Sequence, residues 1–537
     1  QGVVPEPRNS RGTFKLSELE RISLETGKLT FSLPIASLGG RGLNNDVSLK
    51  IEQTWRSDVI DSVTTIHPDP YAFNGLQASG GGFLVGTMTQ SPTQYETGPC
   101  SGELHYHAYW TDFSINFTTF GGQSLLFKSV ENDGQRNAWT STSCQDDEDD
   151  IGDTFVAWDG SGAKLILDDP ITVDSRPDSI VRNDLDGVVR LTDGTTYRID
   201  DGLVVWVQDR NGNRIEVSSI AYGVDNSPSV SYLNSATDSL NRTVEVTGDY
   251  PAPGVTTTVS YKGTGGTTRE VEIVYDNMGD ALRSGESLQS LYELFPDVAT
   301  STTDVDEMIV KQVDLPNGQQ FNFQYNAYGE LARVELPTGG AVEYDYESLE
   351  GVTLTRRLTE RRVYEDGSSL TSKTVYDYSF DSYSPPGSET WTTESVYDGS
   401  NNLKTKTKTY FHSSYGTLLS YYFPEYSGAG KGGRVTKVES YDTDGTTLLR
   451  KVENTYAART STSWTIPDVG NIAKDFRLTE TKTTLSDTNQ VSTTTYSYNG
   501  SVDFNLLSDI YEYDFGSGSA GSLIRRTHID YETSSNY

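Results

Sequence analysis

Residues Leu315–Tyr346 read LPNGQQFNFQYNAYGELARVELPTGGAVEYDY and state one pattern twice. Leu315-Pro316-Asn317-Gly318 returns 21 residues later as Leu336-Pro337-Thr338-Gly339. Each copy is followed by alternating apolar and polar residues that end at tyrosines. Period-two alternation marks a half-buried strand, and the Pro-x-Gly segment marks a turn. A single hairpin cannot bury its apolar face in water. Hairpins stacked side by side cover one another and leave few open edges. The duplication therefore points to an all-β architecture of stacked antiparallel β-hairpins, forming a coiled strip, a shell or a barrel.

The pattern runs on toward the C-terminus. RRVYEDGSSLTSKTVYDYSF, ESVYDGSNNLKTKTKTYF, KVESYDTDGTTLLRKVENTY, TETKTTLSDTNQVSTTTYSY and IYEYDFGSGSAGSLIRRTHIDY each read as strand, turn and returning strand. Tyr376-Asp377, Tyr397-Asp398 and Tyr441-Asp442 are separated by 21 and 44 residues, close to one and two repeat lengths. Upstream, Asp-Gly at 193–194 and 201–202 and Asn-Gly at 211–212 suit hairpin turns that need positive φ. Val47, Leu49 and Ile51 alternate onto one face of a strand. Only ESLQSLYELF (286–295) has a helical pattern, so helix is expected below about a tenth of the chain. Four regions follow: an extended arm at 1–20, a β-rich domain at 21–220, a polar loop or edge hairpin at 221–268, and the hairpin strip at 269–537.

The 537 residues include 33 tyrosines, and aromatics reach 11%, a mixture that fits pleated, half-buried surfaces. The net charge of −34 argues against binding nucleic acid or anionic lipid, because both would be repelled. No run of 18 apolar residues offers a transmembrane helix. The chain opens on Gln1 rather than Met, which reads as a processed or trimmed chain.

These residues resemble the RHS/YD-repeat family. Tyr325-Asn326-Ala327-Tyr328-Gly329-Glu330-Leu331 followed by Pro337-Thr338-Gly339 matches the family repeat closely, with Pro316, Gly318, Tyr344 and Asp345 in the flanking turn and strand. Tyr275-Asp276-Asn277-Met278-Gly279 is a looser copy, and Asp209-Arg210-Asn211-Gly212-Asn213 is similar to the segment upstream of such repeats. Thr26-Gly27 to Arg41-Gly42, with Leu33-Pro34 between, resembles the N-terminal opening of long bacterial members. The resemblance implies a secreted or surface-exposed protein whose hairpins coil into a hollow shell, in many members around a C-terminal toxin. The Asp-Pro-x-Gly motif that closes the family's shell is not found in this sequence.

Few residues suggest chemistry. Asp146, Asp147, Glu148, Asp149, Asp150 and Asp153 crowd one segment, and their hard oxygens suit Ca²⁺; the competing reading is a solvated turn. His105 and His107 share one face of a strand without a recognisable third ligand. Asn116, Asn241 and Asn499 begin glycosylation sequons. Recurrent tyrosines read first as packing ladders and second as rings for sugar or protein. No hydrolase elbow, zincin or P-loop motif is present, so the expected function is non-enzymatic. The first expectation is a secreted structural or adhesive scaffold that self-associates or binds other surface proteins. The alternatives are the shell portion of a toxin-delivery protein and a polysaccharide-binding or polysaccharide-active protein.

Cys100 and Cys144 are the only cysteines, and a secreted chain is expected to join them in a disulfide. The loop of about 45 residues gives roughly 3–4 kcal/mol in the chain-entropy model. Intact mass after alkylation of the unreduced protein should show no added label; two alkylated cysteines would remove the bond.

Overall fold

The two Leu-Pro-x-Gly segments fold into the same turn. Gly318 N–H donates to the Leu315 carbonyl (2.9 Å) and Leu315 N–H to that of Gln319 (2.8 Å). Gly339 and Leu336 repeat the pair with Leu336 and Gly340 (2.9 and 2.8 Å). Both glycines are left-handed, at φ 78° and 89°, where a Cβ would be strained. The Tyr325-Asn326 motif builds a related turn: Asn326 Oδ1 accepts the N–H groups of Tyr328 and Glu330, both at 3.0 Å. Asp209 and Asp238 hold their turns the same way, and so does Asp398. Asn241 (φ 57°) and Asn401 (φ 63°) stand where Gly329 stands, because a short amide side chain tolerates that region. The upstream Asx-Gly pairs are not equivalent. Only at Asp201-Gly202 are both residues left-handed; at 193–194 and 211–212 the glycine alone is.

The structure, a computed structural model, describes residues 13–15, 19–39, 42–52, 55–60, 63–68, 75–90, 94–97, 104–107, 110–119, 124–129, 149–157, 162–173, 181–182, 184–222, 230–248, 253–296, 299, 301–349, 352–379, 389–412, 434–458, 463–466, 470–473, 476–498 and 507–530. It is all-β, with antiparallel pairing between its strands. The described α-helix is a single turn, Leu291–Leu294, closed by a Ser290–Glu293 capping box. Eight strands from Gly82–Gln90 to Leu203–Gln208 close a barrel where Leu203 meets Phe83. Twenty further strands are bonded outside it, from Arg214–Tyr222 to Leu523–His528. Residues 221–268 contribute Val230–Asp238, Thr243–Thr247 and Thr256–Lys262, each bonded on both sides within this sheet. Within the arm assigned to 1–20, Thr13–Lys15 pairs with Arg21–Ser23.

That pairing begins a separate five-stranded sheet, continued by Leu29–Leu38, Asn45–Ile51 and Gly75–Ala78. Its apolar face lies on the strip. Phe31 meets Phe323 edge-on at 5.7 Å, and Ile22, Val47 and Leu49 are fully buried in the shared core.

The recurring tyrosines form a ladder across the strip. Tyr325 Oη donates to the Val310 carbonyl (2.7 Å) and Tyr346 Oη to that of Leu331 (2.9 Å). Tyr378 reaches Leu358 (2.7 Å), Tyr456 reaches Val435 (3.0 Å) and Tyr498 reaches Leu478 (2.8 Å). Each acceptor sits at a register break: Val310 beside Tyr275, Leu331 beside Tyr325, Leu358 beside Tyr346, Val435 beside Phe411, Leu478 beside Tyr456. A bulge disrupts the regular strand-to-strand bonds, and the next tyrosine supplies a donor there. Removing the hydroxyl in Tyr325→Phe leaves that buried carbonyl short of a partner and should cost about 1–3 kcal/mol. Urea unfolding should show a lower midpoint at unchanged slope; an unchanged midpoint would refute the role given to the ladder.

Candidate functional site

The most developed polar site is the seam where the N-terminal sheet lies on the strip. Two close approaches fix it. Gly27 is left-handed (φ 71°), its carbonyl accepts Leu358 N–H (2.9 Å), and a Cβ there would stand 2.6 Å from Arg357 Cβ. Gly42 (φ 119°) presses against Asp209 and Asn213, so the Gly-rich loop docks on the Asx turn. Side chains complete the attachment. Asn45 Nδ2 donates to the Ala236 carbonyl (2.9 Å), Trp55 Nε1 to that of Tyr328 (3.0 Å), and Thr392 Oγ1 to that of Leu24.

Charged groups are buried along this seam. Glu20 is 2% exposed; Arg361 holds it through Nη2 on Oε2 (2.7 Å) and Nε on Oε1 (3.1 Å), and Tyr344 Oη also donates to Oε1. Burial, reinforced by the Glu20 charge, pushes the Tyr344 hydroxyl well above the usual tyrosine range. Glu52 receives Lys28, Lys50 (3.0 Å) and Thr30 Oγ1 (2.7 Å). Burial alone would raise its pKa, but the lysine charges and these bonds outweigh it and lower it to about 2. Glu330 goes the other way. Its burial outweighs Arg356 (2.9 Å) and Asn326 (2.8 Å), so its pKa is raised.

Glu52 and Glu330 line one small cleft with Gly27, Lys28, Tyr346 and Arg356. Two carboxylates shifted in opposite senses is a pattern used in acid–base catalysis. Here the space is about that of one or two waters, and both carboxylates are committed to cations. Arg356 also stacks on Tyr328, 3.6 Å above its ring. The arrangement is chemically a docking joint.

The sites expected from sequence are scattered. Asp149 and Asp150 open the strand Asp149–Ala157 rather than a loop, paired with Val173 and Thr172, because the following residues carry a strand pattern. Asp153 accepts the Thr154 hydroxyl at 2.7 Å. Asp146, Asp147, Glu148, Cys100, Cys144 and Asn499 lie outside the described residues. Among the described residues no group of three or more His, Cys, Asp or Glu is arranged to hold a metal. His105 and His107 lie on Leu104–His107, opposite Glu96 and Gln94. Asn116 sits half-buried within a strand, whereas Asn241 is exposed at the tip of its turn.

The repeat residues divide into two kinds. Tyr344-Asp345 and Tyr376-Asp377 lie in strands, two residues ahead of the ladder tyrosines Tyr346 and Tyr378. Tyr397-Asp398 and Tyr441-Asp442 close strands and enter turns, where Asp398 accepts backbone N–H groups. Tyr275 is buried beside a bulge, Asp276 pairs with Lys311 (2.7 Å), and Gly279 lies in a 3₁₀ turn. The seam residues Glu20, Glu52, Arg356 and Arg361 were not read from sequence; Gly27 and Gly42, beside them, were its only visible marks.

No family model matches the chain, and none of the curated proteins does. Among solved structures, the crystal structure of TcdB2-TccC3 aligns at 11% identity and TM-score 0.11, over 91% of this chain and 35% of that one. TcdB2-TccC3-Cdc42 aligns at 11% and 0.11, over 90% and 31%. This chain thus spans about a third of the length of those it aligns with. Superposition this loose transfers no residue roles.

The Glu52 bonds should make the seam sensitive to acid. Its folded pKa lies below the ordinary 4.5, so its contribution is complete above about pH 4.5 and is lost as pH falls through about 2. Glu52→Gln should cost about 3 kcal/mol at neutral pH, and the gap to wild type should narrow below about pH 4.5 and be nearly closed at about pH 2. Denaturant titrations across pH 2–7 test this; a gap independent of pH would mean the carboxylate charge is not what holds the joint.

Proposed function

We propose that this chain is a non-enzymatic, secreted or cell-surface scaffold of the YD-repeat kind, and that its strip serves as the wall of a larger assembly. One observation carries the reading: the described part of the distal strip has almost no buried apolar core. Among the described residues beyond Phe411, Val491 is the only buried hydrophobic side chain. The strands between carry charged or hydroxylated residues on both faces. Thr407 and Ser440 align with Arg450 on one side; Lys408 and Glu439 align with Lys451 on the other. A sheet wet on both sides separates two aqueous volumes, as a fibre, layer or shell requires. Self-association has a natural place at Leu523–His528, whose residues are all exposed and which, among the described residues, pairs on one side with Asp509–Tyr513. Unpaired strand edges recruit further strands.

A second reading, the shell portion of a toxin-delivery protein, is favoured by the same polar inner face, which suits a hydrated cargo. Electron microscopy and light scattering separate the two. The scaffold reading expects particle mass to grow with concentration and curved sheets to join into rings, fibres or layers. A strictly monomeric, hollow particle at high concentration with Ca²⁺ would replace it with the delivery shell. Turnover of a polysaccharide would overturn both.

A further inference from the structure

The chain's negative charge is unevenly placed. Residues 389–537 hold 14 Lys and Arg against 18 Asp and Glu, so about −30 of the −34 lies in residues 1–388. Within this nearly neutral part, at about −4, Leu403–His412 reads LKTKTKTYFH and sets Lys404, Lys406 and Lys408 at period two. Lys406 and Lys408 share a face with Trp391, Tyr410 and Lys437 through the pairings Trp391–Tyr410, Tyr410–Lys437, Lys408–Glu439 and Lys406–Tyr441. This is the face away from Thr392, Thr409 and Phe411, which are buried toward the N-terminal sheet.

The ammonium groups lie over rings. Lys408 Nζ is 3.8 Å from the Trp391 ring centre and Lys437 Nζ 3.7 Å from that of Tyr410. Lys406 Nζ is 5.5 Å from Tyr441 and donates to the Gly445 carbonyl (2.9 Å). Lys404 pairs with Asp398 (2.8 Å) and is 53% exposed. The carboxylate inside the cluster is occupied: Glu439 accepts the hydroxyls of Tyr410 (2.8 Å) and Tyr441 (2.7 Å) and pairs with Lys437 (3.3 Å). Burial opposes its ionisation, and these bonds still hold its pKa below the usual range. The result is a stripe about 13 Å long, at the strand rise of about 3.3 Å per residue, where rings pre-position cations.

We propose that this outer face binds a carboxylate-bearing polysaccharide. The stripe offers separated cations in a flat row, which suits carboxylates spaced along a polymer. Nucleic-acid bases would need open ring faces, and here the ammonium groups cover them. A polymer with one charge per sugar or fewer also suffers less repulsion from the acidic remainder, which is screened over about 8 Å at physiological salt.

The test uses polygalacturonate with the full chain, beside neutral dextran, single-stranded DNA and poly-glutamate. Calorimetry should show binding of polygalacturonate that weakens with salt, and none of dextran. Lys406→Gln/Lys408→Gln/Lys437→Gln should weaken it at least tenfold. On wild-type protein, bound polygalacturonate should slow acetylation of Lys404, Lys406 and Lys408 severalfold while leaving Lys311 unchanged, a readout independent of how the variant folds. No binding, protection of other lysines instead, or equal binding of DNA or poly-glutamate would overturn the assignment.

Discussion

A sheet that grows by stacking hairpins must keep its backbone groups paired at every step, and here the steps are bulged. Each register break disturbs the regular bonds and increases the local twist, which bends the strip. The tyrosine hydroxyls answer the first consequence and preserve the second. Tyr325 serves Val310 and stands beside the break at Leu331; Tyr346 serves Leu331 and stands beside the break at Leu358. Tyr378 then serves Leu358. One residue type thus closes the previous step and faces the next, which is why the sequence returns to tyrosine. Phe411 holds the equivalent place beside Val435, buried and without a hydroxyl, and the ladder resumes from Val435 through Tyr456.

The strip is stabilised in two different ways along its length. From Ala236 to Thr392 the N-terminal sheet covers it, and burial of Phe323, Tyr325, Val334 and Tyr344 against that sheet supplies a conventional two-layer core. Beyond Phe411 stability must come from lateral pairs. The Lys437–Tyr410 and Lys408–Trp391 contacts run across neighbouring strands, while Lys437–Glu439 and Lys451–Glu453 pair along single strands, each worth a fraction of a kcal/mol to about 1 at half-exposed positions. Such terms are small singly, so this part needs neighbours on both sides more than the covered part does.

Local chemistry was legible in the sequence and distant chemistry was not. The turns at Gly318, Gly329 and Gly339 follow from residue type, because left-handed backbone selects glycine. Asn241 and Asn401 fill the same role without glycine, so residue type alone did not mark their left-handed backbone. Tyr-Asp spacing suggested equivalent positions, yet Tyr376 lies inside a strand and Tyr397 ends one; the functional equivalents are Tyr378 and Tyr346. The stretch 221–268 reads as a polar loop or an edge hairpin for its Thr, Ser and Gly; it holds three strands, with Val244 and Val259 fully buried on two of them. The seam had no local signature. Glu20 and Arg361 are 341 positions apart, and each alone looks like another surface charge.

The two carboxylates of the seam cleft respond to acid in opposite ways. Glu330 has a raised folded pKa, so its favourable contribution is complete below its unfolded pKa and is lost as pH rises through the folded one. Glu52 has a lowered folded pKa, so its contribution is complete above about 4.5 and is lost as pH falls through about 2. Mild acidification therefore relieves Glu330 before it weakens Glu52. Glu330 closes the Asn326 turn, while Glu52 belongs to the N-terminal sheet. The two carboxylates thus give the joint opposite pH slopes in adjoining windows: their combined contribution grows as pH falls toward about 4.5 and declines below it.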